Sequence, residues 1–229
     1  MGRVVAISGG NLQTTEKLNM YALKLAGKES PNLLFIGTAS LDADGYCANI
    51  KNAFGKLNCS VEYLSLVKDS PDTATIDRKL AWADVIYVGG GDTKTMMEIW
   101  KQYSLDKKLK EIYEKDSAVL TGISAGAICW FRSGHSDSES FAGGEDWKYS
   151  ILEGMLGLFP YCFCPHYNEE GRDSFDQMVS DAGCDGLALE NETAFVESSG
   201  QRFIIGTRND AKAWLFSNNT KQELDVIPC

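Results

Sequence analysis

Histidine is nearly absent from this chain: two residues in 229, His135 and His166, against 22 glycines. Any reaction that needs an imidazole base therefore has only two places to find one. Positive charge is also in deficit. With 22 Lys and Arg against 32 Asp and Glu, the formal charge is −10 and no basic cluster occurs, which argues against a nucleic-acid partner. No apolar run approaches the roughly 18 residues of a membrane span. The opening stretch, Met1 to Gly10, is too short for a secretory h-region and has no cleavage pattern. The expectation is a cytoplasmic protein with a small or peptidic partner, and with neither nucleic acid nor membrane. The seven cysteines are odd in number and scattered, without a C-x-x-C pair, so free thiols are expected rather than a disulfide framework. No repeat, low-complexity tract or linker divides the chain, and residues 1–229 read as one domain.

What is present is an alternation. Short apolar runs at 4–7, 33–36, 61–64, 85–88 and 118–121 are separated by helical patterns at 14–25, 42–54, 76–82 and 93–113. Strand and helix taking turns require crossovers, hence an α/β fold: a mostly parallel doubly wound sheet with helices on both faces. Residues 133–150 are rich in Ser, Gly, Asp and Glu and read as a long surface loop. Beyond it, short strands at 161–164, 187–189, 193–196, 203–205 and 213–216, with one helix near 169–182, predict antiparallel strands at the C-terminal edge of the sheet.

Two glycine turns follow apolar strands. The first, Gly122-Ile123-Ser124-Ala125-Gly126, has the form of a nucleophile elbow. A sharp strand-to-helix turn exposes the serine Oγ and aims the next backbone N–H at a reacting carbonyl. Ser124 is thus the candidate nucleophile and Ala125 a candidate oxyanion donor. The second turn, Gly89-Gly90-Gly91-Asp92-Thr93, matches neither a Walker loop, for which Lys94 is misplaced, nor a dinucleotide fingerprint. Its N–H groups read as an anion nest at the carboxyl end of a strand, where ligands of open α/β sheets bind, so Gly90 or Gly91 is a second oxyanion donor.

A serine needs a base. His135 falls in the polar loop and reads as solvated, whereas His166 ends the run Tyr161 to Pro165 at a strand edge and is the candidate base. Cys162, Cys164 and His166 share one strand face, but no further ligands complete a metal site, and neither metal nor cofactor is expected. The imidazole in turn needs a carboxylate on its other nitrogen. Glu190, at the end of the run Gly186 to Leu189, is one candidate; Glu192, Asp137 and Glu139 are others.

With Ser124, His166 and Glu190 in that order, together with Gly89–Thr93, Gly122–Ala127 and Pro165-His166-Tyr167, the chain resembles peptidase E, the aspartyl dipeptidase family of serine peptidases. That family's fold is akin to class I glutamine amidotransferases. The resemblance implies a Ser124-His166-Glu190 triad, an acyl-enzyme and hydrolysis of small peptides, including dipeptides with N-terminal aspartate. Such a substrate needs a guanidinium and a carboxylate, for which Arg132 and Asp137 are candidates. The chain departs from the family pattern at Leu189, where proline is usual, at Asp92, where asparagine is usual, and in the 133–150 loop. The alternatives are a cyanophycinase-like enzyme, an amidase or esterase acting on a non-peptide, and an inactive small-molecule binding domain. A homodimer is compatible with the sequence.

Overall fold

The computed structural model describes residues 2–140, 148–218 and 220–229. The first half alternates strand and helix, with two helices in the last crossover: β1 (Arg3–Ile7), α1 (Glu16–Leu25), β2 (Asn32–Ile36), α2 (Asp44–Lys56), β3 (Ser60–Tyr63), α3 (Thr73–Trp82), β4 (Val85–Val88), α4 (Thr93–Tyr103), α5 (Leu105–Lys115) and β5 (Val119–Ile123). The strands β1, β5, β4, β2 and β3 lie side by side in that order, all parallel. The inner strands are largely apolar and buried because helices cover both faces, whereas the edge strand β3, Ser60-Val61-Glu62-Tyr63, is partly exposed. Successive side chains alternate between the two faces. Val4, Ala6, Leu34, Ile36, Ile86 and Val88 pack beneath Met96, Trp100 and Leu109 of α4 and α5. Val5, Ile7, Leu33, Phe35, Val85 and Tyr87 face Leu18 of α1 with Ile50 and Phe54 of α2.

After β5 comes a single buried turn of helix, α6 (Ala125–Ile128), and then a series of strands: β6 (Phe131–Ser136), β7 (Ser150–Glu153), β8 (Phe159–Cys164), β9 (Gly186–Leu189), β10 (Thr193–Ser198), β11 (Gln201–Gly206), β12 (Ala213–Ser217), β13 (Thr220–Leu224) and β14 (Val226–Pro228), with α7 (Ser174–Asp181) between β8 and β9. Antiparallel strands do extend the main sheet, where β10 pairs with β1 and β11 with β10. β14 closes that edge, parallel to β11, and the remaining late strands form a second, six-stranded sheet in the order β13-β12-β9-β8-β6-β7, with β6, β8 and β9 parallel. Phe131, Phe159, Phe163 and Leu187 of this sheet join the core on the α4–α5 side.

The expected surface loop at 133–150 begins instead as a buried strand. Ser133, Gly134, His135 and Ser136 lie in β6, between β7 and β8. Polar residues are tolerated there because several find partners: the Ser136 and Ser138 hydroxyls are 2.8 Å apart, and His135 bonds Ser174. Residues 141–147, part of the same expected loop, lie outside the described residues.

Candidate active site

The carboxyl ends of β1, β4 and β5 converge. The Ser124 N–H donates to the Ile7 carbonyl at 3.1 Å, tying the end of β5 to that of β1. Ser124 itself has φ 57° and ψ −115°, a left-handed conformation costly for a residue with a Cβ. The glycines on either side explain how the chain fits into so sharp a turn. A Cβ on Gly126 would lie 2.1 Å from the Val88 carbonyl oxygen, and one on Gly122 2.3 Å from that of Gly126. Only glycine lets α6 sit so close to β4 and β5.

His166 arrives from the second sheet. It follows β8, also with positive φ (55°), and its N–H donates to Ser8 Oγ at 2.8 Å. Ser8 Oγ donates onward to the Leu189 carbonyl at 2.7 Å, and the Glu192 N–H reaches the Gly9 carbonyl at 2.9 Å. The turn after β1 therefore knits together the segments that follow β8 and β9. These contacts set the imidazole against the serine: Nε2 is 2.8 Å from Ser124 Oγ. The other nitrogen, Nδ1, is 2.7 Å from Asn191 Oδ1 and 3.2 Å from Glu169 Oε1. With an acceptor on that side, the proton resides on Nδ1 and the lone pair of Nε2 faces the serine hydroxyl. Asn191 Nδ2 donates to Glu169 Oε1 at 2.9 Å. The hydrogen bond to His166 is the main influence on the Glu169 carboxyl, and with help from Asn191 and Arg172 it is held down at about 2, so Glu169 is ionised.

Glu190 does not join this group. Its carboxylate accepts from Arg208 Nη2 at 3.0 Å and from the Lys212 N–H at 3.1 Å, because the side chain at the end of β9 turns toward the segment before β12. Glu192 is 3.9 Å from Arg208 Nε. Asp137 is 3.9 Å from Arg172 Nη2, Glu139 is exposed, and neither bonds His166. Arg132 is exposed on β6. His135, expected in solvent, is fully buried: it stacks on Tyr149 with ring centroids 4.8 Å apart, and burial, aided by Arg172, lowers it to about 3.

Of the expected oxyanion donors, Ala125 opens α6, where a first-turn N–H has no intrahelical acceptor. The Gly90 Cα faces Ser124, for a Cβ there would lie 3.3 Å from the serine Cβ; its N–H is 3.3 Å from Tyr46 Oη. Gly91 packs on the turn at Ala39. The anion-nest reading of this second glycine turn is not realised at the helix start. Asp92 caps α4 and takes the Lys94 and Thr95 N–H groups at 2.9 and 3.2 Å.

Ser124 and His166 open onto a cavity of about 500 Å³ whose other walls include Asn11, Leu12, Tyr46, Asn49, Tyr87 and Gly90. Neither Arg132 nor Asp137 lines it. The turn Ser8-Gly9-Gly10, which both frames this cavity and holds His166, went unread in the sequence. Its signal was there, since an apolar strand running into two glycines is the same pattern that marks the other two turns.

The model of the S51 peptidases matches residues 4–205, nearly the whole chain. The chain belongs to peptidase family S51. Within it, the chain is 35% identical to "Uncharacterized peptidase YgaJ" of Bacillus subtilis (strain 168) over 221 residues, covering 93% of this chain and 91% of the relative. It is 25% identical over 200 residues to "Probable alpha-aspartyl dipeptidase" of Drosophila melanogaster, covering 83% and 78%. The crystal structure of a peptidase from an acI-B1 Actinobacterium superposes with a TM-score of 0.76 at 20% identity over 99% of this chain and 95% of that one, which establishes the shared fold. The S51 membership makes this chain a serine-type peptidase, as the elbow and its order relative to His166 lead one to expect.

Proposed function

We propose that this S51 peptidase hydrolyses short peptides through an acyl-enzyme on Ser124, with His166 as general base. The observation that carries the reading is the 2.8 Å hydrogen bond between a strained, half-buried serine that lines a cavity and a histidine whose other nitrogen faces the acceptors Asn191 Oδ1 and Glu169 Oε1. Nε2 removes the hydroxyl proton as Oγ attacks the scissile carbonyl. The imidazolium then donates that proton to the departing amine, and a water repeats the sequence in reverse to release the acid. The negative charge on the former carbonyl oxygen falls to the Ala125 N–H and to the Gly90 N–H, whose present bond to Tyr46 Oη is long enough to be exchanged for an anion. Each such donor is worth about 10²–10³ in turnover. Glu169, at 3.2 Å, is the carboxylate of this set in preference to Glu190.

The cavity also bears on the substrate. Among the described residues its walls are amide, aromatic and aliphatic, with no Lys or Arg, and residues 141–147 contain none either. An aspartyl side chain would meet no guanidinium there. This favours short peptides whose acyl residue is uncharged over the aspartyl dipeptides in the name of the Drosophila relative. The test is twofold. A fluorophosphonate should label Ser124, and a folded protein that resists labelling would refute the serine mechanism. In a dipeptide panel, uncharged N-terminal residues should give the highest kcat/KM, and a preference for Asp-X would overturn the substrate reading alone.

A further inference from the structure

We propose that Asn191 and Glu169 form one positioning unit for His166, in which the neutral amide makes the short bond to Nδ1 and the carboxylate fixes the amide's orientation and supports the imidazolium. The inference rests on the serine-peptidase reading above.

The geometry leaves little freedom. One carboxylate oxygen, Glu169 Oε1, lies 3.2 Å from His166 Nδ1 and 2.9 Å from Asn191 Nδ2. An ionised carboxylate only accepts hydrogen bonds, so the end of the amide turned toward it must be NH₂. That places Oδ1, and no donor, 2.7 Å from Nδ1. A flipped amide would set oxygen against carboxylate and N–H against N–H, two repulsive contacts in place of two hydrogen bonds. Glu169 therefore enforces the Nδ1–H tautomer twice, once directly and once through Asn191.

Both members are held by backbone. The Glu169 N–H donates to the His166 carbonyl at 2.8 Å, closing a turn that brings residues 166 and 169 to the same side. The Asn191 N–H donates to Asn168 Oδ1 at 2.8 Å, so the segments after β8 and β9 carry the pair as one. Gly9 supplies the room: a Cβ there would fall 2.0 Å from Asn191 Oδ1 and 2.2 Å from His166 Nδ1. The groups charged toward Glu169 are His166 when protonated and Arg172, and both favour the carboxylate. Neither Asn191 nor Glu169 reaches Ser124 or the cavity, so both act through His166.

The roles predict different kinetic signatures in the full-length protein. Asn191→Ala should slow fluorophosphonate labelling of Ser124 and peptide kcat by about 10²-fold with KM little changed, because the base is misaimed while the cavity is intact. Glu169→Gln should lower kcat by about 10²–10⁴-fold, the range a lost orienting carboxylate commands, and should move the acid limb of the kcat/KM profile to lower pH, since the imidazolium loses its counter-charge. Glu169→Asp, which keeps the charge, should restore the acid limb even where the rate stays low. Glu190→Gln should leave labelling and acid limb where they are. Wild-type labelling rates in either Asn191→Ala or Glu169→Gln overturn the proposal, as does an unmoved acid limb in a folded Glu169→Gln, or a loss in Glu190→Gln equal to that in Glu169→Gln. Failure of the wild-type protein to label at all would instead refute the serine mechanism on which the proposal rests.

Discussion

The two histidines of this chain, each at or beside the end of a strand in the second sheet, are set in opposite states by what surrounds them. His135 is sealed among Tyr149, Phe175 and Arg172, with Nε2 3.2 Å from Ser174 Oγ and Nδ1 facing both an Arg172 N–H and the Cys164 thiol. The Arg172 guanidinium, which only donates, leaves Nδ1 unprotonated, and Ser174 Oγ, which donates to the Gly171 carbonyl, can accept from Nε2, so His135 is the Nε2–H tautomer and accepts through its inner nitrogen. His166 has an acceptor pair on Nδ1 and a hydroxyl on Nε2, and so takes the other tautomer. The first arrangement consumes the basic nitrogen in packing; the second keeps it available to a reacting proton. Neighbouring donors and acceptors, rather than position along a strand, decide which histidine can act as a base.

The largest effect should come from exchanging the two. His166→Ala should cut peptide turnover and fluorophosphonate labelling by at least about 10³-fold at unchanged fold, since a serine without its base retains only binding and oxyanion stabilisation. His135→Gln should leave kcat within a few-fold and instead lower the thermal midpoint. Reversal of these two results, measured by turnover and by thermal unfolding, would break the comparison.

A smaller effect tests how finely His166 is placed. Gly9→Ala adds one methyl group where His166 and Asn191 already are, so the imidazole must shift by a sizeable fraction of an ångström. Such a displacement should cost about 10²-fold in kcat with KM nearly constant. A Gly9→Ala enzyme with wild-type kcat would mean that the imidazole position is not demanding.

The smallest effect separates the two histidines by pH. The folded-state value of His135, about 3, lies below its ordinary 6.5, so protons bind the unfolded chain better. Its contribution to stability is fully present above pH 6.5 and falls as pH drops toward 3, with a slope approaching about 1.4 kcal/mol per pH unit. Glu169 has the depressed carboxylate's window: its contribution is present above 4.5 and is lost as pH falls toward 2. Between pH 6.5 and 4.5, then, His135 titrates and Glu169 does not. Urea unfolding across that interval should show stability falling in the wild type and a shallower fall in His135→Gln. Equal slopes would show that His135 is not held neutral by its burial.

Much of this was legible in the chain itself, and the part that was not has a common character. The parallel block β1–β5 was readable because fully covered strands must be continuous apolar runs, and the elbow because Gly122, Ser124 and Gly126 meet a local steric demand. His135 was misread as solvated because β6 has too little apolar alternation to declare itself a strand; the His135 ring finds its partners far away in sequence, Ser174 at 39 residues and Arg172 at 37. Five of the late strands, β8 to β12, were legible as strands and β6, β7, β13 and β14 were not; the division into two sheets depends on pairing choices that no short window contains.

The third partner of His166 belongs to the same class. Glu190 and Asn191 are neighbours, and the backbone turn after β9 sends one toward Arg208 and the other toward His166. Sequence by itself determined the α/β class, the strained serine and the short list of bases, because these follow from periodicity, local sterics and composition. Only the tertiary structure decided which nitrogen of which histidine faces Ser124 and which polar groups hold it, because hydrogen-bond partners are chosen by directions in space, and adjacent residues leaving a turn point apart.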